Sequence, residues 1–554
     1  MPKRDREAFE LRLLVQVPAG TRQPKSWLRA GVDSSLGDDA DGRAWKVDPL
    51  FPTGSRRKSA RLMRHFAVTG RVTASPSHPP QALAFDVAHL LSAQTGAVAQ
   101  PDLPSSSFAR PVEVERGPTT ACREPETPKR WALDAMGCGE AWKLEPTRGA
   151  GIAVGHPDTG FTDHHELEAD ALDLDLAWDV LADDRDARDP LARHRWWNLN
   201  SPGHGTGTAS AIVGRESGSI CGTAPGATLV PFRTVKSVVQ VFDGDVARAV
   251  DRARKSGCHI ISMSLGGVGF ADALRDAIGE AVESGMIVMA AAGNYVGFVT
   301  APACYPECLA LGATGIGDRP WKYSSHGPQV DLCAPGEGVW AAGVCFDDDV
   351  ARFVVNTHNG TSFAVAHTAG VAALWLAHHG AARLRREFAE KLQHVFLSLA
   401  RATARRVVDG WDGNQYGAGI LDARALLEAE LPDRKTLNAE LGGRAKPARG
   451  MALAATAERA SSLEKLSALW PGLRTAEVRS KLGNALAKRG TALDEAIEVL
   501  GGELFYAFSQ DPVLHERFGR TGGMAAMTAG DGGPAIRDDL KRVGSRTLNQ
   551  MVGS

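Results

Sequence analysis

Between residues 131 and 431, short and nearly unbroken apolar runs alternate with segments of helical length, and this alternation limits the chain to few architectures. The runs are Gly151-Ile152-Ala153-Val154, Ala227-Thr228-Leu229-Val230-Pro231-Phe232, His259-Ile260-Ile261-Ser262-Met263 and Met286-Ile287-Val288-Met289-Ala290. Between them, Asp243 to Ser256 and Ala271 to Ser284 carry apolar residues at helical spacing. Strands that are apolar on both sides and separated by helices predict an α/β fold, with a parallel sheet flanked by helices on both faces. At 554 residues the chain exceeds one ordinary core, so further domains are expected.

The flanking regions read differently. Residues 1–105 open on a strand-like run from Glu10 to Pro18 and contain an amphipathic helix around Ala84 to Leu91, then a short strand through Val98, which predicts a small α+β unit. Residues 106–130 are rich in Ser, Pro, Thr and Arg and read as an exposed linker. Residues 432–554 read as a helical C-terminal extension with a Gly-rich tail, and carry no legible chemistry.

A formal charge of −2 gives no generalised attraction to nucleic acid or membrane, and no apolar run is long enough to span a bilayer. The first ten residues lack the apolar stretch of a secretory leader, so a cytoplasmic location is expected, with secretion left open. Eight cysteines are too sparse for a disulfide scaffold. Cys304 and Cys308 are close enough to bridge, but no second Cys or His pair at metal-ligand spacing accompanies them, so free thiols are expected and zinc is not.

Four short motifs carry chemistry: Asp158-Thr159-Gly160, Gly203-His204-Gly205-Thr206-Gly207, Ala291-Ala292-Gly293-Asn294 and Gly360-Thr361-Ser362. Three lie just beyond strand-like runs, while Gly203-His204 opens a helix-like one, and the carboxyl ends of parallel strands are where open α/β folds build sites. A serine hydroxyl needs an adjacent base to attack a carbonyl, and a histidine titrating near neutral pH suits that task. A carboxylate on the other ring nitrogen fixes the tautomer, while an amide side chain and a helix N-terminus can face the developing oxyanion. The glycines beside His204 would leave room for a substrate chain. Taken singly, each motif has a plainer explanation as a turn or a helix cap. All four occurring together, in this order, point to acyl transfer.

The arrangement resembles the subtilisin-like serine proteases (subtilases, peptidase S8), whose triad runs Asp, His, Ser along the chain. The resemblance covers about 128–428: Trp131 to Met136 with Ala141-Trp142, Ala224-Pro225-Gly226, Ser264-Leu265-Gly266-Gly267, Tyr323 to Pro328, Ala334-Pro335-Gly336 and Gln415 to Gly419 all match family segments. It implies Asp158, His204 and Ser362 as the triad and Asn294 as oxyanion donor. It also implies Ser264, Leu265 and Gly266 as one wall of a peptide groove, with Ala291, Ala292 and Gly293 contributing to a specificity-pocket floor. The function expected is a serine endopeptidase acting on protein or peptide substrates. The alternatives are a catalytically silent peptide-binding or regulatory protein on this fold, and an esterase using the same triad.

Departures from the family pattern are Gly207-Thr208 after the histidine loop, Phe363, Val365 and Ala366 after the serine, and His156-Pro157 before Asp158. Phe363 adds bulk beside the nucleophile. No cofactor is expected. The loop with Asp179, Asp183, Asp184, Asp186 and Asp189 among Arg185, Arg188, Arg193 and Arg195 could bind calcium, and reads more simply as solvated ion pairs. Arg56-Arg57-Lys58 reads as a solvated basic face or a processing site. Residues 85–91 and 98–104 resemble the end of a subtilase propeptide. That implies the N-terminal unit is an intramolecular inhibitor and that the linker contains an autoprocessing region.

Overall fold

The computed structural model describes residues 8–38, 42–51, 59–73, 79–106, 128–192, 201–216, 218–267, 271–347, 350–406 and 409–433, and, with short gaps, 462–510, 514–518 and 536–552. Arg56 to Lys58, Arg193, Arg195, nearly all of the linker and the Gly-rich tail lie outside them.

The N-terminal unit comprises β1 (Ala8–Gln16), α1 (Pro24–Leu36), β2 (Lys46–Pro49), β3 (His65–Thr73), α2 (Pro80–Thr95) and β4 (Val98–Pro101). Its antiparallel sheet has the order β2-β3-β1-β4. Leu11, Leu13 and Val15 alternate along β1 and bury against Leu28 of α1 and Ala84, Ala88 and Leu91 of α2. Trp45, Val47, Phe66 and Val68 complete this small core. The tail continues to a two-residue strand β5 (Ser105–Ser106).

The peptidase-like region follows with short helices α3 (Trp131–Ala135) and α4 (Cys138–Leu144), then β6 (Ala153–Asp158), β7 (Trp178–Asp179), α5 (His204–Val213), β8 (Thr228–Arg233), β9 (Gln240–Val241), α6 (Asp243–Lys255), β10 (Ile260–Met263), α7 (Asp272–Glu283) and β11 (Ile287–Ala291). Next come β12 (Leu309–Thr314), β13 (Leu332–Pro335), a hairpin β14 (Glu337–Asp347) and β15 (Val350–Asn359), and α8 (Thr361–His379). Seven strands form one parallel sheet in the order β13-β12-β11-β10-β6-β8-β7. Both of its faces are covered, as the run pattern requires. Along β11, Ile287, Met289 and Ala291 enter the core that holds α8. Val288 and Ala290, with Ala292 just beyond the strand, enter the opposite core, between the sheet and α6 and α7.

Helix α8 is buried on all sides from Thr361 to Leu376, so its first turn is fixed by the deepest packing in the molecule. Its His367 is 3% exposed, accepts or donates at Nδ1 with Thr223 Oγ1 at 2.8 Å, and leaves Nε2 without a partner. Burial pushes its pKa down to about 4. The native imidazole therefore stays neutral while an unfolded one protonates near pH 6.5, so stability is full above that pH and falls on acidification toward 4. The slope is about 1.4 kcal/mol per pH unit for this one group. Urea unfolding at pH 7 and pH 4.5 should show a smaller loss in His367→Gln than in the parent chain. An equal loss would remove His367 from the account.

The N-terminal unit sits on α6 and α7. Leu14, Leu50, Phe51 and Leu62 join the core beneath those helices. Arg12 bridges Asp102 at 3.0 Å and Asp245 at 2.9 Å, and Gly244 N–H donates to Asp102 Oδ1 at 3.3 Å in the first turn of α6. Asp272 N–H donates to Gln100 Oε1 at the start of α7, and His65 Nε2 lies 2.8 Å from Asp276. Farther along the chain, helices Ser462–Ser467, Thr475–Leu486 and Gly490–Gln510, with Arg546–Val552, build a third core around Leu482, Leu500, Leu504 and Phe508. Cys304 and Cys308 are both unbridged, and burial first, then nearby acidic groups, pushes the Cys308 thiol well above its usual range. No described helix is long and apolar enough to cross a membrane.

Candidate active site

Strand ends and helix starts converge at the carboxyl edge of the sheet. Strand β6 delivers Asp158, β10 runs into Ser264-Leu265-Gly266, and β11 runs through Ala292-Gly293 into Asn294. Helix α5 begins on His204 and α8 on Thr361-Ser362.

Asp158 is fully buried, and His204 Nδ1 lies 2.8 Å from its Oδ1 and 3.1 Å from its Oδ2. Thr159 N–H donates to Oδ1 at 2.7 Å, and the Thr208 hydroxyl donates to Oδ2 at 3.3 Å. His156 Nε2 is 3.0 Å from that same hydroxyl. Burial chiefly lowers the pKa of His156, so this ring is neutral beside Thr208 and Asp158. Burial alone would raise the Asp158 pKa. The charge and hydrogen bond of His204, aided by His156 and Thr159, outweigh it and hold the carboxylate below its usual range. An ionised Asp158 fixes hydrogen on Nδ1 and leaves Nε2 of His204 as the basic nitrogen.

The glycines beside His204 serve packing rather than substrate access. A Cβ on Gly205 would come 2.1 Å from the Gly160 carbonyl and 3.2 Å from Asp158 Cβ, so only glycine lets α5 approach the aspartate this closely. Asp189 fastens the same junction: its Oδ2 accepts from Thr159 Oγ1 and from Gly203 N–H, each at 2.8 Å.

Asn294 is oriented by the helix that carries the serine. Its Oδ1 accepts from Thr361 N–H and from Thr361 Oγ1, each at 2.9 Å. The amide nitrogen is thereby turned away from Thr361 and remains a donor. The neighbouring Ser362 N–H is in the first turn of α8, where amides have no intrahelical acceptor. Asn294 is thus tied to the residue that precedes Ser362.

The candidate nucleophile, Ser362, is turned aside. Ser362 Oγ donates to the Ser264 carbonyl at 3.2 Å, and Ser264 Oγ donates back to the Ser362 carbonyl at 2.8 Å. The structure pairs Asp158 with His204 and Asn294 with the start of α8, but makes no hydrogen bond between Ser362 and His204. Gly266 N–H is also engaged, donating to the Val238 carbonyl at 3.1 Å.

The other expected site residues divide by environment. Leu265 is 2% exposed and points into the core, so any part it has in a groove wall is through its backbone. Ala291 and Ala292 are buried in the two opposite cores, and Gly293, at φ +109°, makes the turn that carries Asn294 out of the sheet. Phe363 is buried with its ring 5.3 Å from that of His358. The pKa of His358 is pushed down to about 4, by burial first and by His204 second. No motif marked His358, while Thr361 lay inside the Gly360-Thr361-Ser362 motif and Thr208 stood only as a departure from the family pattern, neither with a role assigned.

Asp179 pairs with Arg233 and caps Leu181 and Ala182, and Asp184 and Asp186 accept from backbone amides of their own loop. Among the described residues no group of three or more His, Cys, Asp or Glu side chains is placed to hold a metal.

Residues 149–419 match the model of the Subtilase family, peptidase S8. Thermitase of Thermoactinomyces vulgaris is 31% identical over 243 residues, covering 42% of this chain and 77% of thermitase. An extracellular protease of Xanthomonas campestris is 28% identical over 341 residues, covering 55% of this chain and 56% of that protein. Subtilisin E of Bacillus subtilis is 33% identical over 182 residues, covering 32% of this chain and 46% of subtilisin E. The match thus spans about half the length of two of these relatives and three quarters of the third.

Proposed function

The chain belongs to the subtilase family, and on that premise we propose that it is a serine endopeptidase with Ser362 as nucleophile, His204 as general base, Asp158 as its orienting carboxylate and Asn294 as oxyanion donor. The observation that carries this reading is the buried, ionised Asp158 bonded to His204 Nδ1, with Asn294 Oδ1 held by Thr361 at the start of the helix that carries Ser362.

A peptide lying along Ser264 to Gly266 as an added strand presents an N–H to the Ser264 carbonyl. That N–H replaces the Ser362 hydroxyl there and frees Oγ to turn toward His204 Nε2. As Oγ attacks the scissile carbonyl, its proton passes to Nε2, and Asp158 stabilises the imidazolium. The oxyanion forms between Ser362 N–H and the Asn294 amide. His204 then gives the proton to the leaving amine, and water hydrolyses the acyl-enzyme with the imidazole again acting as base.

The N-terminal unit is read as an intramolecular inhibitor. Its tail pairs Ser105–Ser106 with Gln240–Val241, two residues beyond the Val238 carbonyl that holds Gly266. This brings the tail to the rim of the same groove. Mass spectrometry of the purified chain beside Ser362→Ala tests both parts. A new amino terminus within 107–130 is expected only where Ser362 is present, together with peptide hydrolysis. Intact chains in both samples and no hydrolysis would overturn the reading.

A catalytically silent relative is the second reading, favoured by the Ser362 hydroxyl donating to Ser264 instead of His204. Labelling of Ser362 by a fluorophosphonate separates the two, because the reagent needs an activated hydroxyl.

A further inference from the structure

Helix α2 of the N-terminal unit has one stripe, Ala84, Ala88 and Leu91, in its own core. A second stripe faces the C-terminal helices, more than four hundred residues away in sequence. Phe85 is 8% exposed, with its ring 5.8 Å from that of Tyr506. His89 Nε2 lies 3.2 Å from Glu503 Oε2. Asp86 Oδ1 accepts the backbone N–H of Arg546 at 2.9 Å, at the start of the helix Arg546–Val552. Glu503 is 4% exposed and is fixed from behind by Ser545, whose N–H donates to one carboxylate oxygen and whose hydroxyl donates to the other at 2.8 Å. The acceptor for His89 is therefore a preset group, held in place whether or not α2 is present.

The same C-terminal core reaches the peptidase region. Val296 and Phe298, which follow Asn294 by two and four residues, are 6% and 2% exposed and pack with Leu482, Leu500 and Phe508. One helical module thus touches both the N-terminal unit and the segment beyond the amide of the active site.

We propose that the C-terminal module is a clasp that retains the N-terminal unit on the peptidase region after the linker is cut. A separated unit docked only on α6 and α7 would leave when those contacts open. Docked also on a module anchored to the same body, it must break two sets of contacts together, and the second set acts at high effective concentration. The clasp bears on activity through the reading of that unit as an inhibitor, but retention itself does not depend on it.

The test uses the full chain carrying Ser362→Ala, to prevent self-cleavage, with a site for a sequence-specific protease inserted in the linker. After the cut, release of the labelled N-terminal fragment is timed by fluorescence. The double variant Asp86→Ala with His89→Ala keeps α2 helical and both cores intact, because alanine is the best helix former. It should speed release at least about tenfold, the effect of two lost hydrogen bonds involving charged or imidazole groups. Lys25→Ala, which breaks an exposed pair with Asp48 inside the unit, should leave the rate unchanged. Release from the double variant at the parent rate would overturn the clasp. Faster release there, together with unaltered peptide hydrolysis when the same substitutions are made in a chain retaining Ser362, would uphold the clasp and sink the inhibitor reading alone.

Discussion

Replacing Ser362 with alanine should lower kcat for peptide hydrolysis by about a million-fold, and adding His204→Ala should cost almost nothing more; the magnitude is the one known from subtilisin, a relative of this chain. The two side chains act as a unit. Without the hydroxyl there is no atom for the imidazole to activate, and without the imidazole the hydroxyl keeps its proton. Asp158→Asn should be milder, at about ten-thousand-fold, because it turns the imidazole to the wrong tautomer and leaves the nucleophile in place. Steady-state kinetics on the two single variants and the double variant decides the matter. Additive losses would mean that Ser362 and His204 do not work on the same proton. The hydrogen bond from Ser362 to Ser264 sharpens this test, since a hydroxyl that never left that carbonyl would make both single variants harmless.

Asn294→Leu should lower kcat by about a hundred- to a thousand-fold with little change in KM. The lost interaction forms only when the carbonyl oxygen becomes an oxyanion, so it does not help hold the substrate in its ground state. Thr361→Val tests the orientation of that amide separately. The valine keeps the backbone N–H that bonds Asn294 Oδ1 but removes the hydroxyl that bonds it at the same distance. A loss of about tenfold in kcat is expected for removing one of two such anchors. A rise in KM with kcat unchanged, in either variant, would place Asn294 in substrate binding instead of oxyanion stabilisation.

The sheet was legible because its strands are apolar on both sides, and the site because strand ends carry it. Ile287 to Ala292 show why the pattern is so plain: alternate residues fill two different cores, so polar positions are tolerated at neither phase. The same burial hid the limits of the groove assignment. Ala291 and Ala292 are small because two cores close over them, and sequence alone could not separate that from lining a pocket. His204 and its glycines stood out as a motif, but the close approach of Gly205 to Gly160 depends on a carbonyl more than forty residues away. The hairpin Glu337–Asn359 left no clear trace because no residue of β15 is fully buried and the strand carries little apolar periodicity. The second face of α2 was invisible for another reason: its partners, Glu503, Tyr506 and Arg546, belong to a different module, and no local pattern encodes contacts at that separation.

At rest two backbone groups of the proposed cleft are already spoken for, the Ser264 carbonyl by the Ser362 hydroxyl and the Gly266 amide by Val238. An incoming strand therefore swaps partners one for one, and main-chain pairing adds little net attraction. Discrimination among cleavage sites then rests with whatever side chains the substrate brings, so short or featureless peptides should be turned over poorly even when every reacting group is intact.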